Sequence, residues 1–297
     1  GEERRGEEKR REEKRREERM ASEKSGSVDG EYDVVVVGGG IMGSCTAYQV
    51  ARRGATVLLL EQFDFLHRRG SSHGDTRTIR STYPEPYYTL MMKQAFSLWH
   101  EAQEEIGYLV HTNTPHLDFG PNHSKSLMAC LANCIQHNIP IHTLSSRQAC
   151  DRFVGLSLPS DWMALLTQEG GVIHASKAVA MFQALALKHG AVLRDRASVQ
   201  RISTTSMSTP LRSGNGQDPA VWVHTNRGSA VGRKCVIAAG AWTPKLVQKM
   251  CGLSLPITPL HTTLAYWRIV EPEKGSPIQV FLRQLLIDFC SFSTQFL

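Results

Sequence analysis

An α/β fold with a parallel sheet is predicted by three features that follow one another early in the chain. Residues 32–37 form a nearly continuous apolar run, which is typical of a strand buried on both faces of a parallel sheet. Residues 41–53 then have the apolar spacing of a helix, and Gly54 ends that pattern. Residues 55–61 form a second apolar run that ends in an acid. The order strand, helix, strand predicts one β-α-β unit of about thirty residues.

The turn between this strand and helix contains glycines in the pattern G-x-G-x-x-G. Gly38 permits a tight turn, Gly40 lets the backbone approach a pyrophosphate, and Gly43 allows the helix to pack closely on the strand. The helix N-terminus offers N–H groups and a positive dipole end to phosphates. Glu61 follows Gly43 by 18 residues, where its carboxylate can accept hydrogen bonds from both hydroxyls of a ribose. Together these features predict a Rossmann-type dinucleotide site rather than a glycine-rich turn without a ligand.

Length, charge and composition narrow the class of protein. The 297 residues suffice for one or two domains, and 41% hydrophobic with 21% charged residues is ordinary for a globular protein. The net charge of +6 does not indicate nucleic-acid binding, because residues 1–20 combine nine basic with eight acidic residues and the remaining charge is dispersed. We expect residues 1–30 to be a disordered or loosely helical charged extension. No apolar run approaches the roughly 20 residues of a transmembrane helix.

The seven cysteines are scattered, which favours reduced thiols and an intracellular protein. Cys130 and Cys134 lie one helical turn apart, but no second pair of ligands completes a zinc site, so we expect packing roles and no metal.

A polar loop at residues 63–88 indicates which dinucleotide is bound. It reads FDFLHRRGSSHGDTRTIRSTYPEPYY, which is not a second Rossmann helix. The segment closely resembles the D-amino acid oxidase-like flavoenzymes, most of all the sarcosine oxidase and pipecolate oxidase group, in which it runs beneath the isoalloxazine ring. EGGVIHA at 169–175 and KCVIAAGAWTPKL at 234–246 resemble further segments of that family in the same order. The resemblance covers residues 32–268.

The resemblance implies a Rossmann-type FAD-binding domain interleaved with a smaller antiparallel-sheet substrate domain. We expect the FAD-binding domain at 31–105 and 166–250, and an incomplete substrate domain at 106–165 and 251–297. The segment at 190–202 fits a strand pair in which Val199 lends backbone groups to adenine. The residues expected to contact FAD are Gly38, Gly39, Gly40, Ile41, Met42, Gly43, Glu61, Gln62, Gly70, Ser71, Ser72, His73, Thr76, Arg77, Val199, Gly240 and Trp242.

Three residues of the polar loop are candidates for catalysis. Arg77 can stabilise negative charge near the pyrimidine edge of a reduced flavin, and Arg80 can hold a substrate carboxylate with a bidentate fork. The alternative is that these arginines simply pair with acids such as Asp75 or Glu85. His73 is expected to hydrogen-bond the flavin, or else to be a loop histidine bonded within the protein.

The reaction implied by the resemblance is oxidation of a small N-alkyl or cyclic secondary amino acid, such as sarcosine or L-pipecolate, to an imine, with dioxygen reduced to hydrogen peroxide. Positioning and electrostatics are expected to carry most of the catalysis. Two alternatives stay open: a protein that binds FAD but is catalytically impaired, and a dehydrogenase that passes electrons to another protein.

The likeness stops after residue 275, and the chain resembles a truncated or alternatively ended form. The family's flavin-linking C-x-Y-T-x-T segment is not found in the sequence, so we expect FAD to be bound without a covalent bond. Residues 278–289 instead have helical apolar spacing, and Cys290 follows in an unrelated context. The resemblance implies a peroxisomal protein, but the C-terminal Gln295-Phe296-Leu297 is not an S-K-L-type signal, which leaves the cytoplasm open. We expect a monomer.

Overall fold

The structure is a computed structural model, and it describes residues 29–153, 155–204 and 220–261. These residues form two compact units. The first unit takes residues 29–77, Ser97–His111 and the described residues from Ile173 onwards, and the second takes Thr78–Phe96 and the described residues of Thr112–Val172. Residues 78–96 thus belong to the second unit, whereas the sequence assigned them to the FAD-binding domain. The assignment of the units to cofactor and substrate stays a prediction.

Strands and helices are interspersed along the described chain. In order they are β1 (Gly30–Val37), α1 (Ile41–Ala51), β2 (Val57–Leu60), β3 (Arg77–Arg80), α2 (Pro86–Ile106), β4 (His111–Asn113), β5 (His116–Pro121), α3 (Lys125–Gln136), β6 (Ile141–Ser145), α4 (Ser146–Arg152), β7 (Trp162–Thr167), β8 (Gly170–Ile173), α5 (Ala175–Lys188), β9 (Val192–Arg194), β10 (Val199–Thr204), β11 (Val221–Thr225), β12 (Gly228–Ile237), a 3-10 turn (Gly240–Trp242) and α6 (Thr243–Cys251).

The first unit is built on a six-stranded sheet with the strand order β10-β11-β12-β1-β2-β9. Strands β12, β1, β2 and β9 are parallel, while β10, β11 and β12 pair in antiparallel fashion. Every residue of β2 is buried, as its unbroken apolar sequence VLLL requires of a strand covered on both faces. One core cluster extends over the five adjacent strands β11, β12, β1, β2 and β9, and it contains Val223, Ala230, Val35, Leu58 and Val192.

Helices α1 and α5 pack on this sheet and on each other. The rings of Tyr48 and Phe182 lie 5.9 Å apart between centroids, and Trp99 from the C-terminal half of α2 approaches Phe182 at 5.2 Å. Ala47 and Ala178 are among the small residues buried on α1 and α5. The ring contacts of Phe182 with Tyr48 and Trp99 link α5 to α1 and α2.

The second unit contains two small sheets, with the orders β3-β8-β4 and β5-β7-β6. Strand β7 pairs in antiparallel fashion with β5 and with β6. Helix α3 covers this sheet through Leu127 and Cys130, which pack against Leu165 of β7. Cys130 and Cys134 are both buried on α3, and burial is the main cause that raises the pKa of Cys130 to about 12 and of Cys134 to about 11.

The predicted α/β fold is confirmed, including the β-α-β unit of β1, α1 and β2. The segment at 190–202 does form two strands, but they do not pair: β9 and β10 lie at opposite edges of the sheet because each joins a different neighbour. The charged repeat at 1–20, the apolar stretch at 278–289 and Cys290 lie outside the described residues. Of the helices in the part that is described, none is both long and apolar enough to cross a membrane.

Candidate functional site

A pocket of about 540 Å³ opens in the first unit at the carboxyl ends of the parallel strands β1, β2 and β12. This is the edge at which open α/β sheets bind their ligands, and the volume is ordinary for a small-molecule site. The pocket is lined by Val37, Gly38, Gly39, Gly40, Ile41, Met42, Leu60, Glu61, Gln62, Leu66, His67, Gly70, Ser71, Ser72, His73, Val179, Ala197, Val199, Ala238, Ala239, Gly240, Ala241, Trp242, Lys245, Leu246 and Lys249.

Close backbone contacts explain why glycine is needed at two of the three positions of the G-x-G-x-x-G pattern. Gly38 has φ +112°, and a Cβ there would lie 2.4 Å from the carbonyl oxygen of Ala238. A Cβ on Gly43 would lie 1.8 Å from the carbonyl oxygen of Gly38. These positions need glycine because the turn, α1 and the end of β12 are in contact. Gly43 accordingly supports the site through packing and is not among the residues that line the pocket.

Gly40, by contrast, lines the pocket. The heavy atoms within 4 Å of a Cβ built there both belong to Ser72, with Oγ at 3.1 Å. Gly40 is also the N-cap of α1, and the first turn of this helix contains no acidic residue. The Ser72 hydroxyl accepts the N–H of Ile41 at 3.0 Å, so the polar loop supplies the cap. The positive end of the α1 dipole therefore lies at the pocket wall.

Glu61 directly follows β2 and is buried beside the turn at residues 38–43, called here the glycine turn. Its Oε2 accepts the N–H of Gly39 at 2.8 Å and its Oε1 accepts the N–H of Phe63 at 2.9 Å. The Nε2 of His67 lies 3.5 Å from Oε1. An ionised carboxylate has about four lone-pair sites, so the two N–H bonds leave Glu61 capacity for ribose hydroxyls.

The polar loop is held in shape by its own backbone contacts. The Nδ1 of His73 pairs with the carbonyl oxygen of Gly70, and the guanidinium of Arg77 donates to the carbonyl of Ser71 through Nε at 3.1 Å and Nη2 at 2.8 Å. A third donor of Arg77 reaches the carbonyl of Thr76. Arg77 and Thr76 are not among the lining residues, so the arginine contacts the loop rather than the pocket surface.

Arg80 lies in the second unit, within a cluster of polar side chains. Its Nη1 is 3.8 Å from Oδ1 of Asp118, and its guanidinium lies over the ring of Tyr83 at 5.1 Å. The ion pair of Arg80 is therefore with Asp118. Asp118 also accepts from Thr82 Oγ1 and pairs with His116 Nε2 at 3.1 Å. Burial acts to raise the pKa of Asp118, but these contacts outweigh it and lower that pKa.

Most of the residues predicted to contact FAD line this pocket. Those that line it are Gly38, Gly39, Gly40, Ile41, Met42, Glu61, Gln62, Gly70, Ser71, Ser72, His73, Val199, Gly240 and Trp242. Sequence reasoning missed His67, Lys245 and Lys249, which also line it. The two lysines are spaced four residues apart directly after the AAGAW segment, and this helical spacing could have placed them on one side of α6.

Comparisons with known proteins give the family. A family model described as FAD dependent oxidoreductase (DAO) matches residues 33–290. The chain belongs to this family. Within it, the chain is 48% identical over 247 residues to a "Probable sarcosine oxidase" of Arabidopsis thaliana, and 33% identical over 259 residues to the "Peroxisomal sarcosine oxidase" of Homo sapiens.

These matches cover most of this chain but only part of the relatives. The Arabidopsis match covers 82% of this chain and 57% of the relative, and the human match covers 87% and 63%. The chain thus spans about six-tenths of the length of these relatives. Among solved structures, NikD, described as an unusual amino acid oxidase essential for nikkomycin biosynthesis, superposes with a TM-score of 0.63 at 28% identity, covering 73% of this chain and 53% of that one.

Membership of the family implies FAD, and the pocket residues fit that cofactor. Gly40 lines the pocket at the N-terminus of α1, where a pyrophosphate binds in such sites, and the Glu61 carboxylate lies just after β2, bonded to the turn. Lys245 and Lys249 add positive charge to the lining, which suits an anionic dinucleotide.

Proposed function

We propose that this protein binds FAD and oxidises a secondary amino acid of the sarcosine or L-pipecolate type to an imine, with dioxygen reduced to hydrogen peroxide. The observation that carries the proposal is the pocket lined by the glycine turn, Glu61 and the loop Gly70–His73, in a chain 48% identical to a probable sarcosine oxidase. When bound, FAD supplies the two-electron oxidation of the carbon–nitrogen bond and delivers the electrons to dioxygen.

The residues of the first unit have separate tasks in this proposal. The N-terminal end of α1 binds the pyrophosphate through its dipole and the N–H groups that Ser72 does not accept, and Glu61 binds the ribose. Val199 lends backbone groups to adenine. His73 and the loop backbone held by Arg77 face the flavin. The positive charge of Arg77 stabilises the negative charge of the reduced flavin.

Arg80 binds the carboxylate of the substrate in this proposal. A guanidinium matches a carboxylate with two parallel hydrogen bonds. Its Nη1 lies 3.8 Å from Oδ1 of Asp118, so Asp118 acts on it as a counter-ion. The substrate amine must be neutral to react, because an ammonium group has no lone pair to assist departure of the α-hydrogen.

The experiment that tests this function measures hydrogen peroxide with a coupled peroxidase during incubation of the purified, FAD-loaded chain with sarcosine, L-pipecolate and L-proline. We expect peroxide from at least one of them and none from glycine methyl ester, which lacks both the carboxylate and the secondary amine. Substrate-dependent reduction of an artificial electron acceptor without peroxide would contradict the oxidase assignment. The absence of both peroxide and acceptor reduction, in a chain that holds FAD, would overturn the enzymatic proposal.

FAD is held without a covalent bond in this proposal. A cysteine would bond to the flavin as its thiolate. Burial raises the pKa of Cys45, and burial followed by the electrostatic influence of Cys251 raises the pKa of Cys235 to about 11. A raised pKa favours the protonated thiol, which is the unreactive form. We expect acid precipitation to release the yellow chromophore into the supernatant. Flavin that stays in the washed pellet would overturn this part of the proposal.

We also propose a peroxisomal location and a monomeric state. Support comes from relatives named "Peroxisomal sarcosine oxidase" in human and mouse and "Monomeric sarcosine oxidase" in Bacillus. Co-localisation of the tagged full-length protein with a peroxisomal marker tests the first, and light scattering on the purified chain tests the second. A diffuse cellular signal would contradict the peroxisomal location, and a mass of two chains would contradict the monomeric state.

A further inference from the structure

Gln183 is a buried polar residue on α5 that makes one contact with the glycine turn. We propose that Gln183 is a positioning residue for cofactor binding: it sets the orientation of the peptide between Gly39 and Gly40, and so aims the Gly40 N–H at the pyrophosphate. The inference rests on the proposed FAD site and adds a residue from a distant helix to it.

The contact is a hydrogen bond to the carbonyl oxygen of Gly39. Gln183 Nε2 donates to this oxygen at 3.1 Å, and the Ser44 hydroxyl donates to the same oxygen at 3.0 Å. Gln183 is 7% exposed and Ser44 is fully buried. Two buried donors therefore hold one carbonyl on the interior side of the turn.

The geometry of the peptide bond transmits this orientation to the pocket. A trans peptide is planar, and its C=O and N–H point in opposite directions. With the Gly39 carbonyl held towards Ser44 and Gln183, the N–H of Gly40 points away from them, on the side where Gly40 lines the pocket. The N–H of Gly39 is tied separately to Glu61, so the residue is held at both of its backbone groups.

The surroundings of Gln183 show why a polar side chain stands there. The other buried residues of α5 include Val179, Phe182 and Leu185, so this helix face is otherwise apolar. An amide buried in such a setting is costly unless it is hydrogen-bonded. An apolar side chain at this position would leave the Gly39 carbonyl with one donor fewer.

The test measures ADP and adenosine binding to the full-length chain freed of flavin, by calorimetry and by competition. Gln183→Met keeps the side-chain length and removes the donor. We expect this variant to weaken ADP binding about tenfold, as for the loss of one well-aligned hydrogen bond from the Gly40 N–H to the charged diphosphate. The affinity for adenosine should change less than twofold. The diphosphate-specific loss is the signature of positioning, because a merely structural defect weakens both ligands alike.

Two further variants keep the test decisive. Ser44→Ala removes the second donor to the same carbonyl, so it should weaken ADP binding more than adenosine binding. This variant tests the inference even if Gln183→Met does not fold. Met181→Leu, a similar-volume change at a fully buried site on α5, should leave both affinities unchanged. Unchanged ADP binding in both donor variants, or equal losses for ADP and adenosine, would overturn the inference. Failure of the wild-type chain to bind ADP would instead overturn the proposed cofactor site.

Discussion

At the scale of single residues, the two glycines Gly38 and Gly40 are expected to respond differently to the same change. Gly40→Ala adds a methyl group at a position with ordinary φ of −71°, where it meets Ser72 beside the pocket. We expect the fold to survive and FAD affinity to fall by about tenfold or more, because the methyl group occupies the path of the pyrophosphate. Fluorescence titration of the flavin measures the loss.

Gly38→Ala is the matched comparison, with an effect on folding instead. Its φ of +112° strains any L side chain, and the methyl group would lie 2.4 Å from the Ala238 carbonyl oxygen. We expect the flavin-free chain to lose about 2 kcal/mol or more of unfolding free energy, as measured by urea denaturation. Equal stability of the two variants would contradict the distinction between a binding glycine and a packing glycine.

Arg80 provides a second prediction at this scale. Arg80→Gln removes the charge and the fork proposed to bind the substrate carboxylate, so we expect kcat/KM for the preferred amino acid to fall by about 100-fold. The FAD affinity should not change, since the pocket lining does not include Arg80. Arg147→Gln, at an exposed arginine of the same unit, is the matched control and should leave kcat/KM within twofold. An equal loss in both variants would refute the role of Arg80.

At the scale of elements, three helices of the first unit meet at Glu105 near the end of α2. Glu105 Oε2 accepts from the Tyr48 hydroxyl of α1 at 2.6 Å, and its Oε1 pairs with His189 Nε2, at the C-cap of α5, at 2.6 Å and with Lys188 at 3.3 Å. Burial acts to raise the pKa of Glu105, but the bonds from Tyr48, His189 and Lys188 outweigh it and lower the pKa to about 2. The pKa of Tyr48 is raised to about 12, first by burial and then by Glu105.

The lowered pKa of Glu105 predicts how the free energy of unfolding depends on pH. A carboxyl group whose pKa is depressed on folding stabilises the protein above its ordinary pKa, here 4.5, and that contribution is lost as the pH falls towards the folded value of about 2. We expect Glu105→Gln to cost about 1 to 2 kcal/mol at pH 7, after allowance for partial solvent screening. Denaturation curves at pH 7, 4.5 and 3 should show the difference from wild type shrinking with acid. A constant difference would show that the charge of Glu105 is not involved.

At the scale of the whole molecule, FAD binding should appear as thermal stabilisation. A ligand that binds only the folded state contributes about 2.7 kcal/mol at 100 times its Kd. For a chain of this size each kcal/mol raises Tm by about 2 to 4 °C, so we expect an increase of about 5 to 10 °C. FMN lacks the adenosine for which Glu61 and Val199 are proposed, and should give a much smaller increase at equal concentration. Equal effects of FAD and FMN would contradict the proposed use of the glycine turn.

The β-α-β unit could be predicted from the sequence because its signals are local. Apolar runs of strand length, helical spacing and glycines at fixed intervals each depend on neighbouring residues, and β1, α1 and β2 lie where these patterns predicted them. Glu61 was identified for the same reason, since one β-α-β unit fixes its distance from the turn. The family resemblance extended this reasoning to the polar loop and to the segment around Trp242.

The tertiary structure alone decided the contacts that complete the pocket, because they join residues far apart in the chain. Ser72 caps α1 from 31 residues away, and Gln183 reaches the glycine turn across 144 residues. Strand order likewise sent β9 and β10 to opposite edges of one sheet, although they follow each other directly. Periodicity shows which face of an element is buried but not which element covers it, so partners such as Asp118 for Arg80 emerge only when the sheets and helices are packed.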